Sequence, residues 1–204
     1  MAYEMVYSDF SLKKAKQTFG LTEHRALLFE QIPAIPMSKW LQETLNTSMY
    51  FALASSSEKA RSEFMVVPLF FEIHKRNQSK FAMYSGETFD VDKDQGLTGE
   101  CDFLFSKGEM TYTIQAPVFT LVEAKKKDIG EGIGQCVAQM IGAQLFNQQE
   151  NNEIPEIYGC VTTGEAWQFL KLSGKDLTID TIRYYFDNIE KILGVLQTII
   201  NRFC

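Results

Sequence analysis

Three residues in this sequence combine types and spacing that could do chemistry: Asp102 in GECDFLF (99–105), and Glu123 and Lys125 in FTLVEAKKKD (119–128). Both segments are short apolar runs that read as neighbouring strands. A charge in such a strand needs a reason, because a half-buried carboxylate costs several kcal/mol unless it is paired or bound to a metal. Side chains alternate along a strand, so Glu123 and Lys125 share one face and Ala124 takes the other. With Asp102 projecting onto that face from the adjacent strand, two carboxylates and one ammonium converge. That set suits a hard divalent cation, Mg²⁺ or Mn²⁺, which takes oxygen ligands and keeps several waters for a phosphate substrate. The lysine would position or deprotonate an attacking water and stabilise negative charge on the phosphoryl oxygens.

Periodicity supplies the elements that must position these groups. Helical signals fill the first fifty or so residues: Ser8 to Phe19 with Gly20 as its stop, a second piece after Leu21 interrupted by Pro33 and Pro36, and a third from Lys39 to Leu45 capped by Ser38. Ser55-Ser56-Ser57 precedes a helix with Ala60, Phe64, Val67 and Phe71 at helical spacing, which Pro68 should kink or divide. From Lys80 the period shortens, giving strands at Phe81 to Tyr84, Leu97 to Phe105, Thr111 to Ile114 and Val118 to Glu123, with a hairpin turn at Ser106-Lys107-Gly108-Glu109. A helix opening at Gly130 to Gly134 carries Val137, Met140, Ile141, Leu145 and Phe146. Strands at Ile157 to Thr162 and Ala166 to Leu172 follow, an edge strand at Leu177 to Ile179, and a closing helix whose wide apolar face implies core packing or a dimer contact.

Asp102, an interval of about twenty residues and then Glu123-Ala124-Lys125 resembles the D…(D/E)XK signature of the PD-(D/E)XK, or restriction-endonuclease-like, nuclease superfamily. Cys101 stands where the family often has proline. Glu63, in the helix before the sheet, matches the glutamate that many members place beside the metal, and Gln135 matches a glutamine that helps hold the site or the phosphate backbone. YGCVTTGEAWQFLKL (158–172) is similar to the strand-turn-strand closing the nuclease domains of type I restriction motor subunits. The likeness runs from about Glu58 to Leu172 and extends to stand-alone members of unknown role.

The resemblance implies an α/β (α+β) fold, a central mixed sheet flanked by helices. It would form one domain, with a helical N-terminal extension (1–56), a nuclease-like core (57–180) and a C-terminal helix (181–204). It also implies a Mg²⁺- or Mn²⁺-dependent phosphodiesterase acting on DNA. Asp102, Glu123, Lys125 and Gln135 would be catalytic, and Glu63, Asp102, Glu123 and the Ala124 carbonyl would serve the metal. Its setting would be a homodimer or a larger restriction or repair complex. RNA keeps the chemistry and changes the substrate. The rival reading is a non-catalytic or partner-dependent interaction module on the same fold.

Several residues have plainer alternatives. Glu63 also fits an exposed helix of mixed charge with Glu58, Lys59 and Arg61, and Gln135 and Gln139, four apart on one helix face, either both reach the site or form a half-exposed polar stripe. Lys126 and Lys127 either touch phosphate or stay hydrated. Asp90, Asp92 and Asp94 imitate a calcium loop whose glycine and terminal glutamate are out of place. Trp167 and Phe169 read as sheet packing. His24 and His74 lie too far apart in sequence to support histidine chemistry. Cys101, Cys136, Cys160 and Cys204 lack metal-binding spacing and read as buried, reduced thiols. The formal charge of -6 argues against non-specific coating of nucleic acid. The N-terminus MAYEMVYSDF carries no secretory pattern and no apolar run is long enough for a membrane span, so a cytoplasmic protein is expected.

Overall fold

The structure is a computed structural model and describes residues 4–54, 57–78 and 80–204. A 3₁₀ turn (Tyr7–Asp9) leads into α1 (Leu12–Phe19), β1 (Thr22–Ala26) and α2 (Lys39–Ala54). Helix α3 (Glu58–Arg61) passes through a π-helical turn (Ser62–Val66) into α4 (Val67–Arg76). Strands β2 (Phe81–Thr88), β3 (Glu100–Lys107) and β4 (Val118–Ala124) precede α5 (Ile129–Gln149). Then come β5 (Ile157–Thr162), β6 (Ala166–Ser173) and β7 (Asp176–Tyr185), a second 3₁₀ turn (Phe186–Asn188) and α6 (Ile189–Phe203).

The strands form one seven-stranded mixed sheet in the order β1-β7-β6-β5-β4-β3-β2. Only β1–β7 and β4–β5 pair in parallel, and α5 supplies the crossover that the second of these pairs requires. Apolar side chains leave the sheet on both faces. Leu104, Leu121 and Val161 pack with Cys136, Val137 and Met140 of α5, while Phe103, Phe105 and Trp167 pack with residues of α2, α4 and α6. The protein is therefore a mixed α/β fold with helices against both faces of the sheet.

Local signals explain most element ends. Ser11 accepts the Lys14 N–H to start α1, and Gly20, at φ 66°, supplies the left-handed residue that stops it. Ser38 accepts the Leu41 N–H at 3.1 Å, but the helix it caps runs to Ala54, past the expected Leu45. Ser57 caps α3; Ser55 and Ser56, read with it as one run, lie outside the described residues. Pro68 lies in the first turn of α4, just after the π turn that interrupts the helical run, as a kink or division there predicts. Proline has no N–H for the carbonyl of Phe64 four residues back, so the chain relaxes into a π turn and Ser48 Oγ donates to the Phe64 oxygen instead, at 2.7 Å. The residue that this turn inserts rotates the apolar stripe. Met65, Val66, Leu69, Phe70 and Ile73 are buried, whereas Phe71, expected inward, is 49% exposed.

Other expectations are corrected. The piece after Leu21 is strand β1, not helix: its polar sequence TEHRA is held by parallel pairing to β7 at an exposed edge, where apolar alternation is not demanded. Residues 1–56 are thus not a purely helical extension, because β1 belongs to the main sheet. Leu177 to Ile179 lies within the ten-residue β7, which is flanked by β1 and β6 and is not an edge. Thr111 to Ile114 is loop, since β2 and β4 already take both sides of β3; the Tyr84 hydroxyl contacts Thr111 Oγ1 and donates to the Thr113 oxygen there. Helix α6 buries Ile189, Ile192, Leu193, Val195, Leu196, Ile199 and Ile200 within the chain, so that face packs the core and is not open to a second copy. All four cysteines are free, but Cys204 is only partly buried. Trp167 and Phe169 are fully buried, as sheet packing requires. Asp90 and Asp92 cap the turn between β2 and β3, Asp90 accepting from Thr98 and Gly99 and Asp92 from Gln95. Among the described residues no helix is long and apolar enough to cross a membrane.

One side chain fastens α5 along β4. Buried Asn147 donates to the Val118 carbonyl at 2.8 Å and accepts the Val118 N–H at 2.7 Å, standing in for a neighbouring strand. Asn147→Ala leaves both backbone groups buried and unpaired, so urea denaturation should show a loss of roughly 2–4 kcal/mol. A change below about 0.5 kcal/mol would mean that water replaces both bonds.

Candidate active site

β4 carries the centre of the site. Its antiparallel register with β3 pairs Phe103 with Val122, and one step further along places Asp102 opposite Glu123. The ladder gives way there: Asp102 Oδ2, not a main-chain carbonyl, accepts the Ala124 N–H at 2.7 Å. On the other flank Lys125 extends the parallel pairing with β5 through its N–H to the Thr162 oxygen, 2.7 Å away. Opposite Asp102 on β2 lies Gly86, between the paired residues Ser85 and Glu87, at φ 66°. A side chain there would be strained, and glycine keeps this wall of the site low.

Where the strands part, a cleft of about 390 Å³ opens between the sheet and α3 with its π turn, lined by Glu58, Glu63, Gly86, Glu100, Asp102 and Ala124 among others. Arg61 clamps that helix to the β5–β6 turn by donating to the Thr163 oxygen at 3.3 Å and to Glu165 at 2.5 Å. Glu123 and Lys125 stand behind this wall, against α5. The Lys125 ammonium donates to Glu123 Oε1 at 2.6 Å and to Gln135 Oε1 at 3.1 Å, and Gln139 donates to Glu123 Oε2 at 2.9 Å. Gly132 makes room for this contact: a Cβ there would sit 2.7 Å from Val161 Cγ1 and 2.9 Å from Lys125 Cγ.

Charge and burial set the protonation states. Burial first, then the charge of Asp102, raises the Glu123 carboxyl to about 7 despite its bonds to Lys125 and Gln139. Burial also raises Asp102, against the hydrogen bond from Ala124 and the attraction of Lys125. Burial works against the Lys125 charge, but Glu123, Glu58 and Asp102 together hold its pKa above the ordinary lysine value. The site thus favours protonated carboxyls, first because they are buried and then because neighbouring carboxylates crowd them.

Of the residues singled out in the sequence, Glu123, Lys125 and Gln135 are drawn together through these bonds, and Asp102, bonded to the Ala124 N–H, acts on Glu123 and Lys125 through its charge. Ala124 and Glu63 line the cleft. Glu63 is half exposed and pairs with Lys59 at 3.8 Å, as the mixed-charge reading has it. Lys126 and Lys127 are exposed. Gln135 is partly exposed whereas Gln139 is fully buried, so the two do not form one half-exposed stripe. Two participants escaped notice, and Gln139 ranks below Gln135 in the sequence. Glu58, whose charge acts on both Asp102 and Lys125, sits five residues before Glu63 in the same polar run, and Glu100 lies beside Asp102. Gln139 differs from a surface glutamine only in being four residues after Gln135 on a helix buried on most sides, which was the available signal.

These donors fit a hard cation. Two mutually repelling carboxylates and a nearby main-chain carbonyl supply oxygen only, and the Gln139 Oε1, fully buried, has no hydrogen-bond partner among the described residues. Among the described residues no three His, Cys, Asp or Glu side chains make a ready cage, and Mg²⁺ commonly takes just one or two carboxylates plus water.

No protein-family model and no curated protein matches this chain.

The raised Glu123 pKa has a definite sign. The folded protein holds a proton that the unfolded chain has already lost, so this stability is complete below the ordinary value of 4.5 and is lost as pH rises through about 7. Without added metal, wild-type stability should fall between pH 5 and 8 by up to about 3 kcal/mol, and Glu123→Gln should flatten that slope. An unchanged slope in the variant, measured by denaturation across this range, would place the proton elsewhere.

Proposed function

We propose that this chain is a metal-dependent nuclease hydrolysing phosphodiester bonds of DNA, on the restriction-endonuclease-like plan that its sequence resembles. What carries the reading is the meeting of Asp102, which lines an open cleft where β3 and β4 part, with Glu123 and its partner Lys125 directly behind it. Asp102, Glu123 and the Ala124 carbonyl would hold Mg²⁺ or Mn²⁺, with Glu58 or Glu63 reaching it from the cleft wall. The bound cation would polarise a phosphoryl oxygen and acidify a water.

The remaining work falls to the chain itself. Lys125, held charged by its carboxylate neighbours, is suited to orient the attacking water and to stabilise charge on the phosphoryl oxygens, more than to accept a proton. Gln135 accepts from the same ammonium and fixes its direction. The cleft presents Glu58, Glu63, Glu100 and Asp102 against Lys59, so a phosphate is repelled until a cation is in place. DNA binding should therefore depend on the divalent ion.

The test is cleavage. Purified protein with Mg²⁺ or Mn²⁺ should nick or degrade plasmid or linear DNA, and Lys125→Ala should abolish this. Cleavage retained by the variant would remove the mechanism. A subtler substitution probes geometry: Gly132→Ala pushes on the Lys125 stem and should reduce kcat on the order of 10²-fold. Undiminished turnover in Gly132→Ala would show that the stem has room to move.

A further inference from the structure

We infer that Gln139 is a positioning residue that sets the Glu123 carboxylate for the cation, and that the fold tolerates an unpaired buried group in order to keep it there. This rests on the metal-dependent reading above. Glu123 is 1% exposed and each of its oxygens has one donor: Lys125 on Oε1 and Gln139 on Oε2. Lys125 reaches the carboxylate on a long flexible stem, 18% exposed, and shares its ammonium with Gln135. The Gln139 amide comes from a fully buried position on α5, a helix fastened to the same strand by Asn147. Of the two donors it is the one with no freedom to leave.

The arrangement has a cost. While the Gln139 nitrogen donates to Glu123, its oxygen is buried with no partner among the described residues, which costs stability. Turning the amide over would face two acceptors toward each other whenever Glu123 is ionised, as it must be to hold a cation. An apolar side chain of similar length would remove this orphan but also take the donor from buried Glu123 Oε2, so the gain and the loss of stability offset and the glutamine's distinct contribution is the donor itself. A donor aimed at one carboxylate oxygen fixes the rotation of that carboxylate and so the direction of its remaining lone pairs, which is what an incoming cation would meet. Partners of this type typically change metal affinity 10–100-fold when removed.

The experiment compares wild type with Gln139→Met and Gln139→Leu, the unbranched variant guarding against poor packing of the branched one. Mn²⁺ affinity is measured by calorimetry and the melting temperature is measured without metal. Both variants should melt near the wild-type temperature, because the orphan removed offsets the donor lost, while their Mn²⁺ binding weakens on the order of 10-fold or more. Equal Mn²⁺ affinity in all three proteins would overturn this inference and leave the nuclease reading standing. Melting temperatures that fall in both variants would overturn it as well, making Gln139 a structural residue. A wild type that takes up no Mn²⁺ would overturn the metal reading and this inference with it.

Discussion

Two carboxylates are held at facing positions on adjacent strands, one of them buried in the sheet, and a single ammonium lies between that buried group and solvent. Glu123 cannot be hydrated where it sits, and the negative charge of Asp102 makes its own ionisation harder. Much of the local structure answers that problem. Lys125 folds back along Gly132 to reach Glu123, Gln139 approaches from α5, and Asp102 takes an N–H from the strand edge where the ladder gives out. Each contact lowers the cost of the crowding and none removes it, so the site remains short of positive charge. A divalent cation is the simplest thing that would supply it.

The rest of the molecule makes this crowding tolerable. β4 is an inner strand with apolar layers on both faces, and α5 lies along it from the site end to Val118. A carboxylate on an edge strand could swing into water and relax. Here the backbone on either side of Glu123 is fixed by β3 and β5, so the charge stays where it is unfavourable. The π turn near Pro68 plays a comparable part across the cleft. It arises from a missing N–H, is satisfied by Ser48, and keeps Glu58 and Glu63 on a helix that Arg61 ties to the β5–β6 turn.

The sequence disclosed this site better than its surroundings. Alternation in FTLVEAK was enough to put Glu123 and Lys125 on one side, because that depends only on the geometry of a strand. Ser38, Ser57 and Gly20 announced helix ends through equally local chemistry. What stayed hidden depends on partners distant in the chain. TEHRA becomes a strand because β7 lends it an edge, and Thr111 to Ile114 fails to become one because both sides of β3 are taken. Gln139 and Asn147 look like surface residues until α5 is seen to be buried on most sides. Glu58 and Glu63 could not be ranked from a run of mixed charges, since their distance from Asp102 depends on a π turn that only the Pro68–Phe64–Ser48 arrangement reveals.

The central claim is that the opposition of Asp102 and Glu123 is a place for a cation and not merely a strained ion-pair cluster. The most direct measurement is a crystal structure of the wild-type protein grown with Mn²⁺, read by anomalous scattering. A peak coordinated by Asp102, Glu123 and the Ala124 carbonyl, with the remaining positions held by water, is the predicted result. Ordered side chains with no peak between them at saturating Mn²⁺, or a peak confined to surface carboxylates elsewhere, would contradict it.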